Sequence, residues 1–547
     1  MKKFTLFAGA LLFSASMVAQ LSWAPLEFQN DIVSSTSKAC GRSDMDEVLV
    51  GTDGDVFLLA HSSSMGVRPT ITFGVNSTDS FLVEPFAENK SQTNTNMVLV
   101  KTDKSLKAKW VGTTDRGAFY TDYGATLTPE GGVVVAVKAR HSEKNRLEDN
   151  KVMEFLGTNG TKAEFVETYT KDIYYGAIVE YDAQGVPTIR QKFYQMDGQT
   201  DGFILTKMVT DGSNYYVLSV LKPGLVIGKD TITTGVASSK DGSTAVLKFD
   251  KDFAYVGYVA TDSVPFWSSS LCDLRYADGK MYIFGQLAVT NTAKDSLVGK
   301  SLCLGDKKVV VPENNSILCA VLSTDLQCEQ LSVVKGVKDG TSCDPRVYHS
   351  VIVGNNAYIA GAIKGGLETS AGVFKGVNAT AFHAYAIKVD MTSGECTNAV
   401  GVESEKISGN PTILFSHDSV YMYYYDWTDN KIYLQSYDQN LNKGTQHLLV
   451  SFKSLTTTTP AVFSDDDLIY SFSERYSCTF AADTTQSYTA QNELYTGVTA
   501  VQQWYQEASG VEEVRDSNKT RAVKFVKDGQ VYIRKGDKIY NILGVEC

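Results

Sequence analysis

A phrase of one shape recurs along the chain. A turn of Gly, Asn, Asp or Ser opens it, and a short run with apolar residues at alternate positions follows. The copies are GDVFLLAHSS (54–63), GGVVVAVKAR (131–140), SNYYVLSVLK (213–222), GKMYIFGQLA (279–288), NNAYIAGAIK (355–364), DSVYMYYYDW (418–427) and DDLIYSFSER (466–475). Alternation with period two marks a strand, and the turn formers supply backbone angles that other residues resist. A second alternating phrase follows most copies and closes on Asp: MVLVKTDKSL (97–106), AIVEYDAQGV (177–186), AVLKFDKDFA (245–254), CAVLSTDLQC (319–328), YAIKVDMTSG (385–394) and IYLQSYDQNL (432–441). Asp103, Asp182, Asp250, Asp325, Asp390 and Asp438 are read as hairpin residues whose carboxylates take local backbone N–H groups. Another strand follows the turn, as in FAYVGYVA (253–260).

Equivalent positions in the first phrase are Phe57, Val134, Tyr216, Tyr282, Tyr358, Tyr421 and Ile469, spaced 48 to 82 residues apart. That spacing suits a four-stranded antiparallel unit with loop insertions. One such unit cannot bury both of its faces. Units stacked in a ring can, and the ring leaves only short edges. The chain is therefore expected to be all-β, with about seven four-stranded units. The seventh lacks the Asp phrase, and the N-terminal LEFQND (26–31) is the segment that would complete it. A ring of six or eight units, or a pair of β-sandwiches, is the alternative.

Composition agrees. Hydrophobic residues make up 43% and charged residues 21%, which suits a folding chain, and 29 Tyr, 25 Phe and 44 Gly against 11 Pro favour strands and tight turns. The formal charge of -11 offers no basic footprint for phosphates, so nucleic acid is excluded as a partner. Residues 1–19, MKKFTLFAGALLFSASMVA, combine a charged start, an apolar run and small residues before Gln20, the pattern of a secretory signal peptide. No later apolar run is long enough to span a bilayer as a helix. The mature chain is expected to be exported, to the periplasm, cell surface or medium.

The repeat resembles β-propellers, in particular a bacterial surface-protein type whose units read as an aromatic strand followed by Lys-x-Asp. It has neither the Trp-Asp of WD40 units nor the paired glycines of kelch. The resemblance implies a propeller over residues 20–506. A polar stretch, 507–522, reads as a linker. The tail, VKFVKDGQVYIRKGDKIYNILGVEC (523–547), reads as short strands joined at Asp528-Gly529 and Gly536-Asp537. It resembles the C-terminal tails of exported Bacteroidota proteins through Asp528, Gly529, Gln530, Tyr532, Ile533, Arg534, Gly536, Lys538, Tyr540, Asn541, Leu543 and Gly544. That resemblance implies sorting by a type IX route, with the outer-membrane export machinery as partner. A plain structural hairpin is the alternative.

Little chemistry is written in the chain. None of the nine Cys forms a Cys-x-x-Cys pair, and the six His make no metal-binding or protease motif, so no cofactor, metal or catalytic set is assigned. Pairing of Cys319 with Cys328 or with Cys303 stays open. His61, His141 and His417 flank their strands and are read as turn residues. The one local anomaly is VYMYYYDWTDN (420–430). Tyr424, Asp426 and Trp427 there are the candidate ligand-contacting residues, because aromatic faces beside carboxylates stack on sugars and bond their hydroxyls. A strand packed on both faces would read the same way. The reading is a binding or interaction module for a glycan or a protein. The alternatives are a propeller hydrolase or lyase acting on polysaccharide, and a structural surface component.

Overall fold

A computed structural model describes residues 21–29, 42–64, 70–75, 80–82, 94–115, 118–141, 151–166, 173–195, 203–221, 223–232, 243–262, 272–289, 298–340, 343–376, 381–404, 408–453, 455–458, 460–489, 496–504, 513–514, 522–527, 530–535 and 538–541. The expected signal peptide (1–19) lies outside them. The chain divides into a unit of Gln20–Gln502 and a unit of Met1–Ala19 with Gln503–Cys547. It is all-β, and the described residues hold one short 3-10 turn, Thr158–Gly160. No helix among them is long and apolar enough to cross a membrane.

Among its described residues the larger unit carries, in chain order, seven antiparallel sheets with a four-strand path, and two smaller sheets beside them. The first runs Arg42–Val50, Val56–Ser64, Asn94–Thr102, Ala108–Asp115, and the second Ala118–Leu127, Val133–His141, Ile173–Tyr181, Pro187–Gln195. The third runs Phe203–Thr210, Asn214–Leu221, Ser243–Asp250, Tyr255–Ala260, and the fourth Cys272–Ala277, Lys280–Leu287, Ser316–Ser323, Cys328–Val334. The fifth starts with Asp344–Pro345 and His349–Val353 and continues Asn356–Lys364, His383–Asp390, Glu395–Gly401. The sixth runs Ser408–Ser416, Ser419–Asp426, Lys431–Tyr437, Lys443–Phe452. The seventh has Leu455–Thr458 and Val462–Ser464, then Asp467–Glu474 and Thr496–Gln503, and its fourth strand is Leu21–Gln29 from the chain's beginning. Trp23 there pairs with Ala500, and Leu26 with Gly497.

Each recurring phrase is the second strand of a sheet, and each Asp phrase is the third. The first strands lie side by side in succession, and Val462–Ser464 of the seventh sheet lies against Arg42–Val50 of the first. The core is a series of layers, each shared by two consecutive sheets. Phe57, Leu99, Val135 and Tyr181 fill the first such layer, and Ala24, Leu26, Ile469 and Met45 join the seventh sheet to the first.

The turns explain the repeat. Between first and second strands, Asp278-Gly279 and His417-Asp418 have positive φ at both positions (49° and 76°, 47° and 59°), the geometry that matches strand twist in a two-residue hairpin. After the third strand, Asp103, Asp182, Asp250 and Asp438 each accept two backbone N–H groups on one carboxylate oxygen, as Asp182 does from Gln184 and Val186 at 2.9 Å each. Asp390 heads a longer turn and accepts from Thr392. The fourth sheet corrects the sequence reading. Ser323, not Asp325, holds the equivalent place: its hydroxyl accepts from the Asp325 and Gln327 N–H groups, and its N–H bonds the Gln327 carbonyl. The phrase there has shifted by two residues.

In every sheet but the sixth, the connection from second to third strand reaches back to the preceding sheet. Thr70–Phe73 pairs with Leu21–Gln29, Lys151–Leu156 with Ala108–Asp115, Leu225–Ile227 with Pro187–Gln195, and Ser477–Phe480 with Lys443–Phe452. Gly366–Thr369 pairs with Gly336–Val337 just past the fourth sheet's outer strand, and Leu304 bridges Thr261 just past the third's.

In the smaller unit, Ala522–Lys527, Gln530–Lys535 and Lys538–Asn541 form an antiparallel meander, with Lys527 opposite Gln530 and Lys535 opposite Lys538. Two residues therefore separate the strands at each of the expected turns. Glu513–Val514, inside the stretch read as a linker, pairs with Val523 and Ala522.

Candidate functional site

The anomaly at 420–430 is largely interior. Tyr424 is 2% exposed, and its hydroxyl accepts from Gln446 Nε2 at 2.6 Å. Tyr423 is buried on the opposite face, its hydroxyl on the Ser471 carbonyl at 2.7 Å. Asp426, 8% exposed, accepts from the Thr428 N–H and the Ser404 hydroxyl, at 2.7 and 2.8 Å, and so shapes the turn. Trp427 is 36% exposed and meets Tyr425 edge-on at 5.8 Å. Of the three candidates, only Trp427 offers a ring face to solvent.

The histidines read from sequence do not converge. His61 Nδ1 lies 2.6 Å from Asp46 Oδ2 at the far end of its strand, whereas His417 sits in the opposite turn and meets Asp466 at 3.3 Å. The side chain of His141 lies outside the described residues. The cysteine pairings are not made: Cys303, Cys319 and Cys328 are each free. Cys319 and Cys328 belong to layers on opposite faces of the fourth sheet, so strand alternation itself keeps them apart.

The site that sequence reasoning missed lies among the first strands. A cavity of about 520 Å³ is bounded by Glu47–Val50, Arg275–Ala277, His349–Ile352, Ile413–Phe415 and Pro460–Ser464, all at or beside the innermost strands. Its walls are mostly apolar. Where Glu47, Arg275 and His349 enter it, a charged cluster forms. Lys207 Nζ lies 3.0 Å from Glu47 Oε2, and Arg275 Nε lies 2.9 Å from Asp273 Oδ2. The Ser350 N–H and hydroxyl both donate to that same oxygen at 2.7 Å. Gly124 lets the second sheet approach here, since a Cβ on it would fall 2.6 Å from the Lys207 backbone.

Electrostatics keep this cluster charged and balanced. Burial alone would raise the Asp273 carboxyl, but Arg275 above all, with Lys207 and the Ser350 bond, holds it below the ordinary carboxylate range. Burial would lower Lys207, yet Glu47 and Asp273 keep its ammonium above its ordinary value. Burial, reinforced by Arg275, pushes His349 well down, so its imidazole is neutral at neutral pH. Two acids and two bases thus cancel. Asp273 Oδ1, Arg275 Nη2 and His349 Nδ1 are buried atoms with no hydrogen-bond partner in the structure. No signal in the sequence points to this group, because the first strands share no repeated phrase.

No family model and no curated protein matches the sequence. Solved structures similar to it include the Dos1 propeller, at 9% identity over 88% of this chain and 95% of that one, with a TM-score of 0.38. The β-propeller domain of the trilobed protease from Pyrococcus furiosus is similar at 7% identity, over 83% and 96%, with a TM-score of 0.37. The WD40 domain of SCAP from fission yeast is similar at 8%, over 90% and 99%, with a TM-score of 0.35. Likeness this distant carries nothing about activity or ligand.

Proposed function

We propose that the chain is an exported seven-bladed β-propeller that works as a binding module for a protein or glycan, with the cavity among its first strands as the ligand pocket. The succession of first strands, returning from the seventh sheet to the first, supports the blade count. The observation that carries the binding reading is the cavity itself: about 520 Å³, apolar walls, and a polar end made by Glu47, Arg275 and His349. General acid catalysis by Asp273 finds no support there. A general acid needs a carboxyl held up toward neutral pH, and Asp273 is held down.

Arrays of oligosaccharides and peptides, probed with the full chain and with Ser350→Trp and Ile352→Trp variants that fill the cavity, test this. A ligand lost on filling supports the pocket. A ligand indifferent to filling, or none at all, sinks it. Export and type IX sorting rest on residues 1–19 and 523–547. Surface protease digestion of cells making the full chain, against a chain cut after Gln506, tests them. A cut chain that still reaches the surface would remove the sorting role.

A further inference from the structure

Among the described residues, six sheets are met at or just past the end of their outer strand by a strand or hairpin from the next sheet's connection. The fifth is the exception. The sixth sheet's second and third strands are joined by Trp427–Asn430 alone, too short to reach back. Among the described residues no strand pairs with the end of Glu395–Gly401 on its outer side.

The second sheet shows such an edge covered. There the Gln191 side chain accepts from the Lys192 N–H at 3.0 Å, and the next three residues, Phe193, Tyr194 and Gln195, pair with Ile227, Val226 and Leu225. In the fifth sheet the Asn398 side chain accepts from the Ala399 N–H at 2.8 Å, beside a bulge that stands two places nearer the turn Asp than the second sheet's. Counted from the turn Asp, Gly401 and Val402, opposite Tyr385 and Ala384, hold the places of Thr113 and Thr114 in the first sheet, which pair with Leu156 and Phe155. The Val402 N–H is turned inward to the Ala384 carbonyl, so alternation turns the N–H and C=O of Gly401 outward. The edge then runs into Ser404, tied to Asp426 and to Thr428 at 2.9 Å, beside the exposed Trp427.

We propose that Gly401–Glu403 is a docking edge for an extended peptide strand of a partner protein, added antiparallel in the place that covering strands occupy on the other sheets. The strands that fill those places define the occupant's chemistry. Each buries a large apolar side chain almost completely: Phe73, Phe155, Ile227, Leu302, Leu367 and Phe480 are all 0 to 1% exposed. The partner segment is therefore extended, with bulky apolar residues at alternate positions, and Trp427 is the ring available to one of them. Main-chain bonds to Gly401 supply affinity and the side-chain positions supply selectivity. This edge is separate from the pocket of the proposed function, and either can fail alone.

The probes are labelled synthetic peptides copying this chain's own covering strands, residues 151–157 (KVMEFLG) and 223–229 (PGLVIGK), titrated against the full chain. Binding is expected, with slowed hydrogen exchange at the Gly401 amide. Gly401→Pro removes an N–H that the sheet itself does not use, so folding is expected to hold while affinity falls at least tenfold, taking about that factor as the loss of a single edge contact. The exchange measurement on the unaltered chain stands whether or not that variant folds. No binding at millimolar peptide, or binding without protection at Gly401, overturns the proposal. So does self-association that Gly401→Pro abolishes, which would make a second copy the occupant. Oligosaccharide binding that depends on Trp427 and ignores Gly401→Pro would assign the notch to a glycan instead.

Discussion

Lys248 lies directly opposite Tyr216 across the third sheet, its ammonium 5.9 Å from the ring centroid, and both side chains end on one acceptor in the next sheet. Lys248 Nζ donates to the Thr324 carbonyl at 2.8 Å, and the Tyr216 hydroxyl lies 3.1 Å from it and 2.8 Å from Asp211 Oδ2. The relationship recurs. Lys388 lies over Tyr358, whose hydroxyl donates to the Gln439 carbonyl at 2.7 Å, and Lys101 lies over Phe57 and donates to Gly131 at 3.0 Å. The recurring aromatic and the Lys two residues before the Asp are thus cross-strand partners that fasten one sheet to the turn of the next.

Tyr216→Phe is expected to cost about 1 kcal/mol, the net worth of the hydroxyl's bond, because Lys248 still serves the Thr324 carbonyl and Asn214 the Asp211 carboxylate. Tyr358→Phe should cost a similar amount. The two share no partner, so the double variant should add within about 0.5 kcal/mol. Urea denaturation of the three variants checks this. Strong non-additivity would mean that the sheets do not fasten independently.

The turn that Asp103 heads has a residue with positive φ three places on. At the equivalent places stand Leu106, Phe253, Leu326 and Leu441, with φ of 60° to 65°, and Gly185. A non-glycine residue in this region is strained, yet Leu106, Phe253 and Leu441 are buried, and the apolar burial offsets the strain. Leu441→Gly should lose more in packing than it regains in backbone, a net cost of about 1–3 kcal/mol. Gly185 differs because Trp110 of the first sheet fills its side-chain space, 2.7 Å from where a Cβ would stand, and donates to the Ala183 carbonyl at 3.1 Å. Gly185→Ala should therefore destabilise by about 2–4 kcal/mol, combining overpacking with an unfavourable φ. Melting temperatures of the two variants decide it; a neutral Gly185→Ala would refute the packing argument.

What was legible followed the range of the interaction. Turns and alternation are local, so the second and third strands could be read from Phe57 or Asp182 and their neighbours. Asp325 misled because residue identity stood in for register: the place belongs to Ser323, visible only once Val321 is seen opposite Tyr282. The charged cluster was hidden, since Glu47, Lys207, Asp273 and Ser350 meet across long stretches of chain. The three candidates at 424–427 stood open between two readings, because a strand packed on both faces reads like an aromatic platform.

Cysteine chemistry follows from the layers. Burial pushes the Cys396 and Cys343 thiols up to about 12, and Cys319 and Cys478 further still. The thiolate is the reactive form. Iodoacetamide on the native chain should therefore leave Cys319, Cys396 and Cys478 unmodified, and peptides carrying Cys319 and Cys328 should alkylate fully after unfolding without reductant. A disulfide between those two in peptide mass mapping would contradict the fold.

Acid should weaken the larger unit in two steps. His349 and His383 are both held below the ordinary imidazole value, chiefly by burial, and His383 is 1% exposed with neither ring nitrogen hydrogen-bonded. The unfolded chain takes protons on them at about pH 6.5, and the folded chain refuses them. Because the folded values are depressed, the stability from these groups is full above about pH 6.5 and is lost as pH falls below it. Asp273 is also depressed, so its contribution holds above about pH 3.9 and disappears only in stronger acid. Tm should thus fall between about pH 6.5 and 5 and fall again below about pH 4. His349→Gln with His383→Asn should flatten the first step and spare the second. Asp273→Asn should instead lower stability at neutral pH by about 3–5 kcal/mol, because it leaves the Arg275 guanidinium without its buried counter-charge. A first step that survives the double histidine variant would show that other groups carry the acid response.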